Sequence, residues 1–170
     1  MKRIRIQLYR SPCGDLLLGS FDGKLCLCDW TAEKHRELVN RRLRHILRAD
    51  YLEETSPVIR EAARQLDEYF NRRRTAFDIP IMFVGTRFQE SVWRALPKIP
   101  YGATISYAAL AGQIGRPNSV RAVANANGAN AISIFVPCHR VIGSDGSLTG
   151  YGGGLQAKKF LLELEASAFF

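Results

Sequence analysis

The sequence predicts an α/β (α+β) chain in two parts: a small sheet-and-helix domain over residues 1–84, and a mostly helical domain with a helix-turn-helix over residues 85–170. Three observations carry that expectation. The first thirty residues alternate apolar and polar side chains between turn signals, and two stretches between 33 and 70 repeat their apolar positions at helical spacing. Beyond residue 85, short helical stretches follow one another between Gly and Pro breaks. With 170 residues, 46% of them apolar, the chain is long enough to bury a core unaided.

Taken in order, Ile4, Ile6 and Leu8 share one face of a first strand, and Ser11-Pro12-Cys13-Gly14 turns the chain. Residues 15–21 run to an Asp22-Gly23 hairpin signal and residues 24–30 return, which makes a meander. Residues 33–48 carry a helical pattern, with Leu38, Leu43, Ile46 and Leu47 on one side and arginines on the other, a basic run expected as a solvated face. A second helix begins at Ser56-Pro57, a cap followed by proline at the first helical position. It places Val58, Ile59, Ala62, Ala63, Leu66, Tyr69 and Phe70 at helical spacing and ends at Asn71-Arg72-Arg73-Arg74. Residues 75–86, with Pro80 and Gly85, read as a connector.

In the second part, Phe88, Val92, Trp93 and Leu96 mark a helix stopped by Pro97 and Pro100, and Tyr101-Gly102 turns the chain. Residues 105–114, the break Gly115-Arg116-Pro117-Asn118 and a small-residue helix from Val120 to Ala126 form the helix-turn-helix candidate. Its second helix is mostly Ala, Val and Asn with a single arginine, so it suits close approach to a groove better than extensive reading of base edges.

Lys and Arg number 24 against 16 Asp and Glu, a formal charge of +8 that leans towards a polyanionic partner. Each half carries half of that charge, so charge does not say which half binds. The N-terminus alternates charged and apolar residues and lacks the apolar core of a secretory signal. No window approaches the roughly 20 apolar residues that a membrane span needs. A soluble cytoplasmic protein with no membrane partner is expected, and its four cysteines, Cys13, Cys26, Cys28 and Cys138, are expected to be reduced thiols. Cys13, Cys26, Cys28 and His35 could be imagined as a zinc set, but the one-residue gap between Cys26 and Cys28 lacks the spacing of a structural zinc knuckle, and buried small hydrophobes are the simpler reading.

The chemistry points to Cys138. The apolar run 131–136 reads as a buried strand that delivers Pro137 and Cys138 into a turn, and a cysteine flanked by proline, histidine and arginine is an unusual core filler. Cationic neighbours and backbone donors lower a thiol's pKa, and the thiolate is the nucleophile. Adjacent residues of an extended segment point to opposite sides, so a water relay between Cys138 and His139, with a third group orienting the imidazole, fits better than a direct pair. Glu165 in the closing helix 157–165 is the candidate third group, although a carboxylate with this spacing is more often a solvated helix end. The glycine-rich segment 143–154 either brings its backbone close to a flat ligand or is a flexible turn.

Pro137-Cys138-His139-Arg140-Val141-Ile142 resembles the signature of the O6-alkylguanine-DNA alkyltransferases, the methylated-DNA protein-cysteine methyltransferases. The resemblance extends to Phe88-Gln89, Val92-Trp93, Ile99-Pro100-Tyr101-Gly102, Tyr107, Arg121-Ala122-Val123, Ala126-Asn127, Asn130 and Tyr151 to Gly154, covering about residues 86–166. It implies a ribonuclease H-like N-terminal domain and a winged helix-turn-helix-like C-terminal domain. It implies Cys138 as nucleophile and alkyl acceptor, His139 as water-mediated base, Glu165 completing the relay and Asn130 bracing the turn. Tyr107 would help rotate the target nucleotide and donate towards the departing base, while Arg121 would fill the vacated stack. Ala122, Val141, Tyr151 and Gly152 would lie against the DNA or the base, with a backbone donor near Gly152. The implied partner is double-stranded DNA containing alkylated bases, met by a monomer, and neither cofactor nor metal is implied.

A target nucleotide must leave the duplex before a side chain reaches O6 of guanine, and one inserted arginine offsets part of that cost. The resemblance also has departures: Ala131 stands where the family commonly has proline, and Gly152 where relatives can carry serine. Two rivals stand beside it, a non-catalytic helix-turn-helix lesion binder, against which the thiol argues, and a cysteine hydrolase, which would turn over repeatedly.

Overall fold

In a computed structural model the chain is described over residues 2–31 and 33–167; Met1, Ala32 and residues 168–170, which the expected two-part division includes, lie outside the described residues. The N-terminal part is a meander of β1 (Arg3–Ser11), β2 (Gly14–Phe21) and β3 (Lys24–Trp30), then α1 (Glu33–Leu47), β4 (Asp50–Glu53) and α2 (Pro57–Phe70). Asp22 and Gly23 take φ of 50° and 76°, as the two-residue hairpin turn between β2 and β3 requires. The four-stranded sheet has the order β3-β2-β1-β4, and β4 lies parallel to β1 with Ile4 opposite Tyr51. The face set by Ile4 runs out along β1, since Leu8 is 46% exposed.

Helix α1 packs through only part of its expected face: Leu43 is buried and Leu47 rests against the core, as expected. Val39 and Leu43, one turn apart, are buried, whereas Leu38 and Ile46 are largely exposed. Its arginines are also more than a solvated face. Arg36 Nη1 reaches the buried Asp29 carboxylate at 3.1 Å, and Arg42 lies over the Trp93 ring and donates to the Ala129 carbonyl at 2.7 Å. Helix α2 starts as read, with the Ser56 hydroxyl accepting from Ile59 N and Pro57 at the first position.

The second part holds α3 (Arg87–Ala95), a 3-10 turn (Leu96–Lys98), β5 (Ile105–Ser106), α4 (Tyr107–Gln113), α5 (Val120–Gly128), a 3-10 turn (Cys138–Arg140), β6 (Val141–Ile142) and α6 (Leu155–Ala166). Thr86 and Gln89 close a capping box on α3, and the buried Trp93 indole donates to the Ala126 carbonyl, tying α3 to α5. Ile105 and Ser106, read as the start of a helix, instead pair in parallel with Val141 and Ile142, which leaves α4 to begin at Tyr107.

The free edge of β3 joins the two parts. Leu25 exchanges backbone hydrogen bonds with Pro80 and Met82 of the connector, and Cys28 does the same with Ala131 and Ser133. The segment leading to Cys138 is therefore hung on the N-terminal sheet by paired main-chain bonds. No helix among the described residues is long and apolar enough to cross a membrane.

Candidate active site

The run 131–136 is not a strand. After the single bridge at Ile132, Phe135 N bonds Ser133 O and Val136 N bonds Ile132 O, folding the chain back on itself. Ile134 carries φ of 73°, a conformation that costs a β-branched residue about 1–3 kcal/mol and persists only where its surroundings hold it. Asn130 does part of that holding: its Oδ1 accepts from Ile132 N at 3.0 Å and its Nδ2 donates to the Val136 carbonyl at 2.9 Å. The run is apolar because every residue in it is buried, which periodicity alone cannot distinguish from a core strand. Cys138 then opens a 3-10 turn, so the extended geometry expected for Cys138 and His139 is replaced by a helical one.

That turn and the buried face of α6 assemble a relay. His139 and Glu165 are 0% and 4% exposed, and His139 Nε2 lies 2.8 Å from Glu165 Oε2. Glu165 also accepts from Arg140 Nε at 2.8 Å, from Arg140 Nη2 at 3.1 Å and from the Tyr69 hydroxyl of α2 at 2.6 Å. The carboxylate is thus a buried four-donor acceptor, not a solvated helix end. Burial alone would raise its pKa, but the hydrogen bonds and positive character of His139 and Arg140 outweigh it and hold Glu165 at about 2. Burial lowers the pKa of His139, which keeps the imidazole neutral near neutral pH. With Nε2 donating to an ionised carboxylate, the lone pair sits on Nδ1, a buried atom without a hydrogen-bond partner among the described residues. Nδ1 is the basic atom of this site.

The thiol is not acidified overall. Burial pushes Cys138 up to about 11, partly offset by hydrogen bonds from Asn130 and Ser133 and by the charge of Lys158. Arg140, the cation beside it in sequence, is committed to Glu165 and to the Ile99 carbonyl. Lys158, 0% exposed and two helical turns before Glu165, donates to the carbonyls of Val141 and Thr149 at 2.7 and 2.8 Å. A thiol titrating near 11 is protonated at neutral pH, so reaction there requires a base. His139→Ala is therefore expected to change the shape of the pH profile. With free ionisation as the remaining route, the single-turnover rate should rise about tenfold per pH unit from about pH 7 to about pH 10, more steeply than in the unsubstituted protein. A variant profile parallel to that of the unsubstituted protein would count against a base role.

Beside this centre lies a cleft of about 810 Å³, lined by Tyr107, Ala124, Asn125, Gly128, Thr149, Tyr151, Gly152 and, from α1, His35. Tyr107 opens α4 with its hydroxyl 3.3 Å from the Thr149 carbonyl, and Tyr151 meets the Trp30 indole edge-on at 5.7 Å. Arg121 and Ala122 are exposed on the first turn of α5, where Arg121 makes no hydrogen bond or ion pair among the described residues. Val141 is buried in β6, and Lys158 binds its carbonyl. The glycines of the loop bring its backbone against flat groups of the chain itself: a Cβ on Gly153 would fall 2.5 Å from the Trp30 indole, and one on Gly152 would fall 2.9 Å from the His35 ring. Cys26 and Cys28 are buried on β3, and His35 is bonded to Asp29.

Residues 87–167 match the 6-O-methylguanine DNA methyltransferase, DNA binding domain, and residues 4–83 match the 6-O-methylguanine DNA methyltransferase, ribonuclease-like domain. The chain belongs to this family. A Methanosarcina barkeri methylated-DNA--protein-cysteine methyltransferase is 46% identical over 158 residues, covering 93% of this chain and 94% of the relative. A Mycobacterium tuberculosis protein of the same name (strain H37Rv) is 57% identical over 106 residues, or 62% of this chain and 64% of the relative. The crystal structure of Mycobacterium tuberculosis O6-methylguanine methyltransferase superposes with a TM-score of 0.78 at 41% identity, covering 98% of this chain and 93% of that one. The same organism's OGT in complex with DNA also gives 0.78 at 41% identity, covering 96% and 92%.

Within this member of the family, Cys138, His139, Glu165 and Asn130 converge on one buried centre, Tyr107, Tyr151 and Gly152 line the neighbouring cleft, and Arg121 and Ala122 stand apart on the surface. Three participants escaped the sequence reading. Tyr69 looked like one more apolar position of α2, Arg140 like a partner of the thiol, and Lys158 was not singled out within the closing helix. Only the seven-residue spacing of Lys158 and Glu165 could have signalled that both share the buried face of α6.

Proposed function

We infer that this protein repairs DNA by direct reversal, transferring the alkyl group of O6-alkylguanine irreversibly to Cys138. The observation that carries this reading is the buried thiol, unable to ionise readily on its own, set beside a neutral histidine whose only unpartnered nitrogen is basic. His139 Nδ1 takes the Cys138 proton through a bridging water, and Glu165 stabilises the imidazolium that results. The sulfur lone pair attacks the alkyl carbon in line, the S–C bond forms as the C–O6 bond breaks, and the electron pair leaves with the guanine. Tyr107 and a backbone donor near Gly152 stabilise that departing base, which regains a proton to become ordinary guanine. A thioether offers no route back to thiolate, so each molecule acts once, without a cofactor.

The C-terminal domain, residues 85–170, does the binding and the chemistry; residues 1–84 hold it. The small residues of α5 suit close approach to a groove without extensive base reading, and the exposure of Arg121 on the first turn of that helix supports a role in filling the stack left by an extruded nucleotide. The protein acts on double-stranded DNA as a monomer in the cytoplasm, and O4-alkylthymine is a further candidate substrate.

Incubation with duplex DNA containing O6-methylguanine tests this, with intact-protein mass as readout. One adduct of about +14 Da on Cys138, saturating at one equivalent, is expected. Bound DNA without an adduct would favour the lesion-binder reading, and repeated turnover the hydrolase. Arg121→Ala is expected to slow transfer from duplex DNA more than from a single strand, because unstacking costs a few kcal/mol only in the duplex. Equal slowing on both substrates would remove the role in extrusion.

A further inference from the structure

The cleft beside Cys138 is not built from the C-terminal domain alone. His35, on the first turn of α1, puts the Cδ2–Nε2 edge of its imidazole in the space that a side chain at position 152 would occupy, with distances of 2.9 and 3.0 Å to an ideal Cβ there. The ring is held in place. Its Nε2 lies 3.0 Å from the carboxylate of Asp29, which is 0% exposed and is pinned from the other side by Arg36 Nη1 at 3.1 Å. The imidazole keeps 20% of its own surface exposed, and it lines the same cleft as Tyr107, Asn125, Tyr151 and Gly152.

We propose that His35 is a specificity-determining residue, an N-terminal-domain wall that limits the bulk of the alkylated base the cleft admits beside Gly152. This rests on the alkyl-transfer reading above. The ring edge fills the space over Gly152, so a group needing that space must swing the imidazole away and break its bond to a buried carboxylate. A small substituent makes no such demand. The arrangement also gives a reason for glycine at position 152: with His35 seated as it is, any Cβ there collides with the ring. Residues 35 and 152 are coupled across the two domains. Because Asp29 retains Arg36 when the imidazole is removed, the wall can be deleted without leaving that carboxylate unpaired.

The test compares single-turnover adduct formation on duplexes containing O6-methylguanine and O6-benzylguanine. His35→Ala is expected to raise the benzyl-to-methyl rate ratio by about tenfold or more, the scale on which a steric pocket discriminates. Gly152→Ala is expected to slow methyl transfer, and adding His35→Ala is expected to recover part of that loss, a non-additivity that two residues merely near the site would not show. Should His35→Ala fail to fold, His35→Gln reads the same ratio without the aromatic ring. An unchanged ratio together with additive single and double variants overturns the assignment and leaves the alkyl-transfer reading standing. Unsubstituted protein that forms no methyl adduct overturns both.

Discussion

Cys138→Ser is expected to abolish alkyl transfer while leaving DNA binding in place, which makes it the largest effect on activity of any single substitution in this chain. Acidity does not single out Cys138. Burial raises all four cysteines, with Cys26 at about 12 and Cys138 at about 11, and the half-buried Cys13 is raised as well. What separates Cys138 is its place beside an unpartnered histidine nitrogen, in a turn held by Asn130. A serine hydroxyl is a far weaker acid and nucleophile than a thiol, so the same base cannot generate a competent nucleophile from it. The oxygen nonetheless finds donors where the sulfur did, at Asn130 and Ser133, and the fold should tolerate it. Intact mass after exposure to O6-methylguanine duplex should show no adduct on the variant, while a mobility-shift titration matches the unsubstituted protein. An adduct that persists and maps to Cys13 would remove Cys138 from its role.

The parts of this molecule that local chemistry decides were legible, and those decided across distance were not. The Asp22-Gly23 turn, the Ser56-Pro57 cap and the motif around Cys138 depend on a few adjacent residues. β4 has four residues and exists because β1, nearly fifty positions away, offers it a parallel partner. The same holds for β5 and β6, two residues each. On α1, Leu38 and Ile46 fit helical spacing beside Leu43 as well as the buried Val39 does, and contact with the sheet makes the choice. The resemblance named the residues of the relay, but the arms that the N-terminal domain extends to the site come from tertiary packing: the edge of β3 pairing with Ala131 and Ser133, Tyr69 reaching Glu165, and Trp30 and His35 seated on the glycine loop. None of these has a signature in spacing.

Glu165→Gln is expected to reduce both rate and stability. The change preserves shape, yet the carboxylate now accepts from four donors, and an amide must turn its NH2 towards at least one of them. Arg140 loses its buried counter-charge and keeps the Ile99 carbonyl and the Tyr101 ring face, neither of which balances its charge, a disruption of the kind that costs about 3–5 kcal/mol. His139 loses the acceptor that fixes its tautomer and stabilises its protonated form, so transfer at neutral pH should fall by about 10²–10⁴-fold. The pH dependence separates charge from shape. Glu165 is held at about 2, well below the usual carboxylate value, so its contribution to stability is fully present above about pH 5 and is lost as pH falls towards that lower value. Thermal unfolding midpoints should therefore differ by a constant amount above about pH 5 and converge in acid. A gap that persists unchanged in acid would mean that packing, and not the charge of Glu165, stabilises this centre, and the relay would then need another origin for its basicity.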